Sequence, residues 1–311
     1  MISDSSIDIQ AEATRRVLER LDEYSELVIR PLNMRHTGIE LLGVYGHRVE
    51  VRISSRTGHQ VLVIAPQAAL LAELFWLKIA ATQQLATPRV LVHDLFATQV
   101  PFAYMLVNYI GGIPLAHIEQ ASHRRVVARQ IGRSLRRMHQ CPAPGFGHPL
   151  LNGRWPHHGW RETLISWLDQ AGALDLGLEV LGEADFNQLI GLTLDHPELG
   201  CVQPMVIHNG FDLQRTLVSI AETAQLETLP SPGSIVGGDP FLDVAMALLP
   251  KHPSDIRQGF LEGYTAAGAL DASQRTRLHR MAVLALLHHA ACGGEDAETL
   301  TSSLWGAMRV L

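Results

Sequence analysis

The sequence predicts an α+β chain in two lobes: a small antiparallel sheet carrying one main helix over residues 1–110, then a larger, mostly helical part over 111–311. Three observations carry this. Short segments rich in β-branched and apolar residues recur before residue 110. Apolar residues at helical spacing dominate after Ala116. A Gly111-Gly112 pair marks the change.

Each element follows in order. Ser6 to Leu27 reads as an amphipathic helix, with Ile9, Ala13, Val17, Leu18 and Leu21 at helical spacing. Residues 39–45, 47–53 and 60–64 are β-rich, and Ser54 to His59, with Gly58, gives a turn. A helix follows from Pro66 to about Gln84. Pro88 opens a strand over 89–93, and Ala103 to Ile110 is another. In the second part Val126, Ile131, Leu135 and Met138 mark a helix, 141–156 is a loop rich in Pro and Gly, and Trp160 to Leu168 is helical. Met205–His208 and Thr216–Ile220 read as the strands of a short hairpin. Residues 243–249, 256–266, 273–289 and 295–310 read as helices. Two lobes joined by an extended strand imply a cleft where a ligand would sit.

Bulk properties narrow the function. The chain has 311 residues, of which 47% are hydrophobic and 18% charged, enough apolar material for one large domain or two packed lobes. A net charge of -6 argues against a nucleic-acid partner. No apolar run is long enough to span a bilayer, and Met1 to Glu12 has neither a basic nor an apolar leader segment. Cys141, Cys201 and Cys292 are too sparse for a disulfide framework or a zinc site, so a cytoplasmic protein is expected. Arg124, Arg125, Arg129, Arg133, Arg136 and Arg137 cluster on one helix and read as a solvated face.

Several segments, in order, carry a resemblance. They are Leu71-Ala72-Glu73-Leu74 followed by Pro88-Arg89-Val90-Leu91, then Met105 to Leu115, then Ile131 to His139, then Val206 to Val218. Gly238-Asp239-Pro240 with Asp243-Val244-Ala245 closes the series. Together the chain resembles the aminoglycoside phosphotransferase and choline kinase-like family, with a protein-kinase-like bilobal fold. The resemblance implies a phosphotransferase with four charged parts. A lysine on the third strand pairs with the helix glutamate and meets phosphate oxygens. An aspartate accepts the proton of the attacking hydroxyl. An asparagine and a second aspartate hold magnesium.

This chain departs from that pattern at each part. The third strand, Val61 to Ala65, has no lysine or arginine, which leaves Glu73 with no expected partner. Aligned without gaps, His208 is kept, Asn209 replaces a glycine, Gly210 replaces the catalytic aspartate and Arg215 replaces the metal-binding asparagine. Ser231 falls on the metal-binding aspartate, and no glycine-rich nucleotide loop stands out. The expectation is therefore a pseudokinase with no cofactor and no metal, binding a small molecule or supporting a partner enzyme. The candidate ligand-binding residues are Glu73, Asn108, Tyr109, Asp212, Arg215, Ser231 and Asp239. The alternative is a divergent phosphotransferase using ATP and magnesium, with Asp212 as base and a small-molecule hydroxyl as acceptor.

Plainer roles compete for some of these residues. Asp212 also reads as a loop carboxylate. Asp239 and Asp243 read as structural, Asp243 anchoring the helix that follows. The resemblance makes His208 scaffold. His157-His158 and His288-His289 lack ligands at metal spacing. Trp155, Trp160 and Trp167 read as core.

Overall fold

The computed structural model describes residues 15–45, 47–210, 212–229, 235–294 and 297–308. They fall into two compact units. One runs to Ala81 and includes Thr87–Gly111; the other comprises Thr82–Ala86 and the chain from Gly112 onward. The architecture is bilobal α+β, with an antiparallel sheet in the first unit and mostly helices in the second.

In the first unit residues 15–19 are helical and α1 (Leu21–Ile29) follows; residues 6–14 of the expected first helix lie outside the described residues. Five antiparallel strands stand in the order β1-β2-β3-β5-β4: β1 (His36–Tyr45), β2 (Arg48–Ser55), β3 (Gly58–Ile64), β4 (Val90–Asp94) and β5 (Tyr104–Asn108). Period-two alternation along β2 buries Val49, Val51 and Ile53 and turns Arg48, Glu50 and Arg52 to the opposite face. The apolar set packs with Tyr24, Val28 and Ile29 of α1 and with Leu62, Ile64 and Leu106 of the neighbouring strands. The next helix, α2 (Gln67–Thr82), buries Leu70, Ala72, Trp76, Leu77 and Ala80, and Glu73 among them.

In the second unit the expected hairpin is not formed as read. Strand β7 (Met205–Ile207) pairs with β10 (Val236–Gly238). Strand β8 (Leu217–Ile220) lies between β6 (Ile113–Pro114) and β9 (Ala224–Thr228). The loop and turn after Ile207 carry β8 away from β7, and the chain reverses at Ala221–Thr223 instead. Gln225 and Glu227 make β9 too polar for an apolar pattern to reveal.

Around these strands lie α3 (Ala121–Met138), α4 (Trp160–Gln170), α5 (Ala173–Leu181), α6 (Glu183–Leu192), α7 (Phe241–Ala247), α8 (Ser254–Tyr264), α9 (Ala272–His289) and α10 (Ala297–Met308). Helices α3 and α8 approach closely enough to exclude side chains. A Cβ on Gly263 would sit 2.0 Å from the Arg129 carbonyl oxygen, and one on Gly132 would sit 2.2 Å from that of Phe260. Trp160 is buried, its ring filling the space beside Gly238. Helix α9 starts in a capping box, with the Asp271 side chain accepting from the Gln274 N–H and the Gln274 side chain from the Asp271 N–H. No helix among the described residues is long and apolar enough to cross a membrane.

Candidate active site

The first unit corrects a central expectation. Glu73 has a partner, supplied by the neighbouring strand. Arg48, at the start of β2, reaches Glu73 with a two-pronged contact, Nη1 to Oε2 at 2.5 Å and Nη2 to Oε1 at 3.1 Å. Its Nε also donates to Glu50 Oε1 at 2.6 Å. Glu73 is buried and Arg48 partly so, with side-chain exposures of 6% and 16%. Burial acts to lower the Arg48 pKa, but the charges and hydrogen bonds of Glu73 and Glu50 outweigh it and raise the value. The ion pair expected from β3 is thus made from β2. Strand register explains how: Glu50 stands opposite Val63, so Arg48 and Glu50 share the face on which a β3 residue at Val63 would project. A search along β3 alone misses Arg48. Its place opposite the buried Val49 face was the available signal.

The two hinge residues have structural partners within the same unit. Asn108 Oδ1 accepts the Arg89 N–H at 2.5 Å, and its own N–H donates back to the Arg89 carbonyl at 3.1 Å. The Tyr109 N–H donates to the His59 carbonyl at 3.1 Å. Its ring lies edge-on to His59, with the Arg52 guanidinium 5.8 Å from the ring centroid.

In the second unit one carboxylate organises the loop after β7. Asp243, near the start of α7, is buried. Its Oδ2 accepts the His208 N–H and its Oδ1 the Asn209 N–H, both at 2.7 Å. His139, at the end of α3, meets Asp243 Oδ2 through Nε2 at 2.9 Å and the Tyr264 hydroxyl through Nδ1 at 2.9 Å. Burial, with further contributions from Asp243 and Asp239, pushes the Tyr264 phenol up to about 12 against the hydrogen bond and charge of Arg136. Asn209 adopts φ +52°, a left-handed conformation that asparagine tolerates better than most residues. That accounts for its standing where the resemblance expects glycine. Asp243 is an anchor of the loop rather than only a helix cap.

The remaining candidates are placed as follows. Gly210 offers no side chain, and a Cβ there would meet nothing within 4 Å. Asp212 is exposed; its Oδ1 accepts the Gln214 N–H at 2.8 Å and its carbonyl accepts from Thr216. Arg215 is half-buried on the turn into β8. Asp239 is buried, accepts the Phe241 N–H at 3.0 Å and lies 3.4 Å from Arg277 Nε. Burial raises its pKa against the opposing pull of Arg277. Ser231 lies outside the described residues.

A cavity of about 310 Å³ opens beside Asn209, walled by His148, Trp167, Gln170, Met246, His288 and Cys292. Trp167 and His288 stack at 3.9 Å, within 3° of parallel. Burial holds His288 down at about 4, with the charges of His289 and Lys251 acting the same way. Among the described residues no carboxylate lines this cavity. His157, by contrast, has a carboxylate at hand, with Glu162 Oε1 3.3 Å from its Nδ1, but it is one histidine with one acid. Among the described residues no group of three His, Cys, Asp or Glu side chains converges on a metal-sized site.

A sheet lobe with a buried arginine–glutamate pair, and a helical lobe whose loop hangs on a buried aspartate, define a protein-kinase-like phosphotransferase fold. The sequence profile of the phosphotransferase enzyme family (APH) matches residues 42–209. The chain belongs to that family. Comparison with curated proteins gives no match.

Solved structures agree on the fold. A thermostable mutant of aminoglycoside phosphotransferase APH(4)-Ia in apo form aligns at TM-score 0.63 and 15% identity, over 92% of this chain and 98% of that one. The macrolide 2'-phosphotransferase MphH from Brachybacterium faecium aligns at 0.56 and 17%, over 89% and 96%. The GDP and kanamycin complex of APH(2")-IIIa aligns at 0.60 and 12%, over 93% and 98%.

These relatives overturn the expectation of a fold without a cofactor. Variants of the APH(4)-Ia mutant hold ADP or AMP-PNP together with hygromycin B, and APH(2")-IIIa holds GDP. For the phosphates of a nucleotide, Arg48 has two of its five N–H groups beyond the three engaged by Glu73 and Glu50. For a divalent ion the described residues do not fit. Asp239 is engaged with Arg277 and Phe241, and Arg215 brings a positive charge to the loop.

Proposed function

We propose that this chain is a divergent nucleotide-dependent phosphotransferase acting on a hydroxyl of a small molecule. The buried two-pronged Arg48–Glu73 pair carries the reading. An ion pair largely withdrawn from solvent gives little net stability, which favours a functional use for it. The nucleotide supplies the phosphoryl group. Arg48 meets its phosphates, fixed in aim by Glu73. Asp212 is the sole carboxylate in the sequence from His208 to Thr216. It takes the proton of the acceptor hydroxyl as the new P–O bond forms and the bond to the nucleoside diphosphate breaks. The acceptor site is the cavity beside Asn209. Its stacked Trp167–His288 wall favours a partly planar molecule. The cytoplasm, rich in nucleotide, is the compartment this reading implies.

A second reading has its own observation. Gly210 stands where the base is expected and Asp212 Oδ1 is already engaged by the Gln214 N–H. That favours a pseudokinase that holds nucleotide and serves a small molecule or a partner enzyme without transfer. Incubation with γ-labelled ATP or GTP and a panel of hydroxylated compounds separates the two. Transfer that is lost in Asp212→Ala supports the enzyme; nucleotide binding with no transfer to any compound supports the second reading. Transfer indifferent to Asp212→Ala removes the proposed base.

A further inference from the structure

The six arginines of α3 divide into two sets. Arg124 forks onto Asp255 of α8 at 2.7 and 3.1 Å, and Arg125 and Arg129 share Glu262. Those three charges are answered. Arg133, Arg136 and Arg137, one turn on, meet no carboxylate among the described residues; Arg136 lies over the Tyr264 ring at 5.2 Å. In a chain of net charge -6 this is a local surplus, not a general one. Arg133 and Arg137 are exposed and Arg136 is half-buried, and the three line an open hollow of about 690 Å³, with Gln84, Gln130 and Gln140 beside them and no Asp or Glu among its described lining residues.

The wall is braced. Gln130 Nε2 donates to the Ala224 carbonyl at 3.1 Å and its Oε1 accepts the Leu226 N–H at 2.8 Å, tying α3 to β9. Spacing of i, i+3 and i+4 puts the three arginines on one helical face, so their planar donor forks can converge. Such forks match the oxygens of phosphate in pairs. Three fixed charges exceed the about -1.5 to -2 of a single phosphate monoester, so a second phosphate is needed for balance. The volume is that of a small-molecule site.

We propose that this cavity binds a small polyanion bearing at least two phosphate groups. Among the described residues it shares no lining residue with the cavity beside Asn209, and Arg136 touches the anchored loop's network only through Tyr264. The ligand would be a phosphorylated metabolite or inorganic polyphosphate, which present the same chemistry.

Calorimetric titration with pyrophosphate, tripolyphosphate, a sugar bisphosphate and citrate tests this on the full chain, in wild type, R133Q/R137Q and R48Q. Both positions of the double variant are exposed, so its melting temperature should be unchanged and a binding loss is then local. The expected result is saturable binding of at least one phosphate probe, weakened at least ~10-fold in R133Q/R137Q. Preference for the sugar bisphosphate would mark a metabolite, and preference for tripolyphosphate a polyphosphate. No saturation up to ~10 mM at low ionic strength overturns the site. So does a loss confined to R48Q, and citrate binding as tightly as phosphate overturns the ligand class.

Discussion

In the N-terminal sheet the charge facing Glu73 has changed strands, from the expected β3 to Arg48 on β2. In the loop after β7 the anchor has stayed in place while the groups around it have changed. The difference follows from what each residue must do. A long side chain needs only its charged tip at a given point, and neighbouring strands offer several starting positions on one face. Asp243 receives two successive backbone N–H groups and an imidazole at once, a geometry with no second solution nearby.

The largest expected effect is therefore at the anchor. Asp243→Ala strands the buried His208 N–H, the partly buried Asn209 N–H and His139, a loss on the order of 3–5 kcal/mol. Thermal or urea unfolding measures it, and a loss within ~0.5 kcal/mol would show that water takes over the anchoring role. Next comes the portable charge. Arg48→Val leaves Glu73 buried without its partner and should cost several kcal/mol, about 3 as a guide. Adding Val63→Lys returns a cation to β3 opposite Glu50 and should recover at least half of that loss and restore nucleotide binding. If the double variant is no better than the single, the two strand positions are not interchangeable.

Gly210→Asp sharpens the comparison at the loop. There is room for the side chain. Should the loop lack only its base, phosphoryl transfer rises by roughly 10²-fold, the low end for a positioned base. Unchanged transfer would mean that Asp212 already fills the role or that Arg215 blocks it. The smallest effect concerns pH. Burial depresses His288 and His252, each to about 4. Their folded values lie below the unfolded value near 6.5, so the unfolded chain binds more protons between these limits. Stability is full above about 6.5 and falls as pH drops toward 4. Melting temperature measured across this window should decline on acidification, and His288→Phe, which keeps a ring beside Trp167, should flatten the slope. A flat wild-type profile would show that both imidazoles are solvated.

Most of the fold was legible in the sequence because it rests on periodicity. The alternation of Val49, Val51 and Ile53 and the helical spacing of Ile131, Leu135 and Met138 are local signals. Strand β9 escaped because Gln225 and Glu227 break the apolar pattern, and the pairing of β7 with β10 escaped because nothing local specifies a partner so far along the chain. The loop that Asp243 anchors was legible, while the cation facing Glu73 was not. His208, Asn209 and Asp243 could be placed by their order. Arg48 could not be found by scanning one strand for a lysine, because the relevant neighbour lies across the sheet. The arginine cluster on α3 was visible, but its division into paired and unpaired halves depends on where Asp255 and Glu262 of α8 fall.

The most direct test is a titration of ATP and GTP into wild type, Arg48→Lys and Arg48→Ala, with the melting temperature of each recorded alongside. If Arg48 is the phosphate-meeting cation, affinity falls ~10–100-fold in Arg48→Ala, the worth of one hydrogen bond to a charged group, and less in Arg48→Lys. Equal affinity in all three folded proteins would contradict it and leave the Arg48–Glu73 pair a structural feature alone.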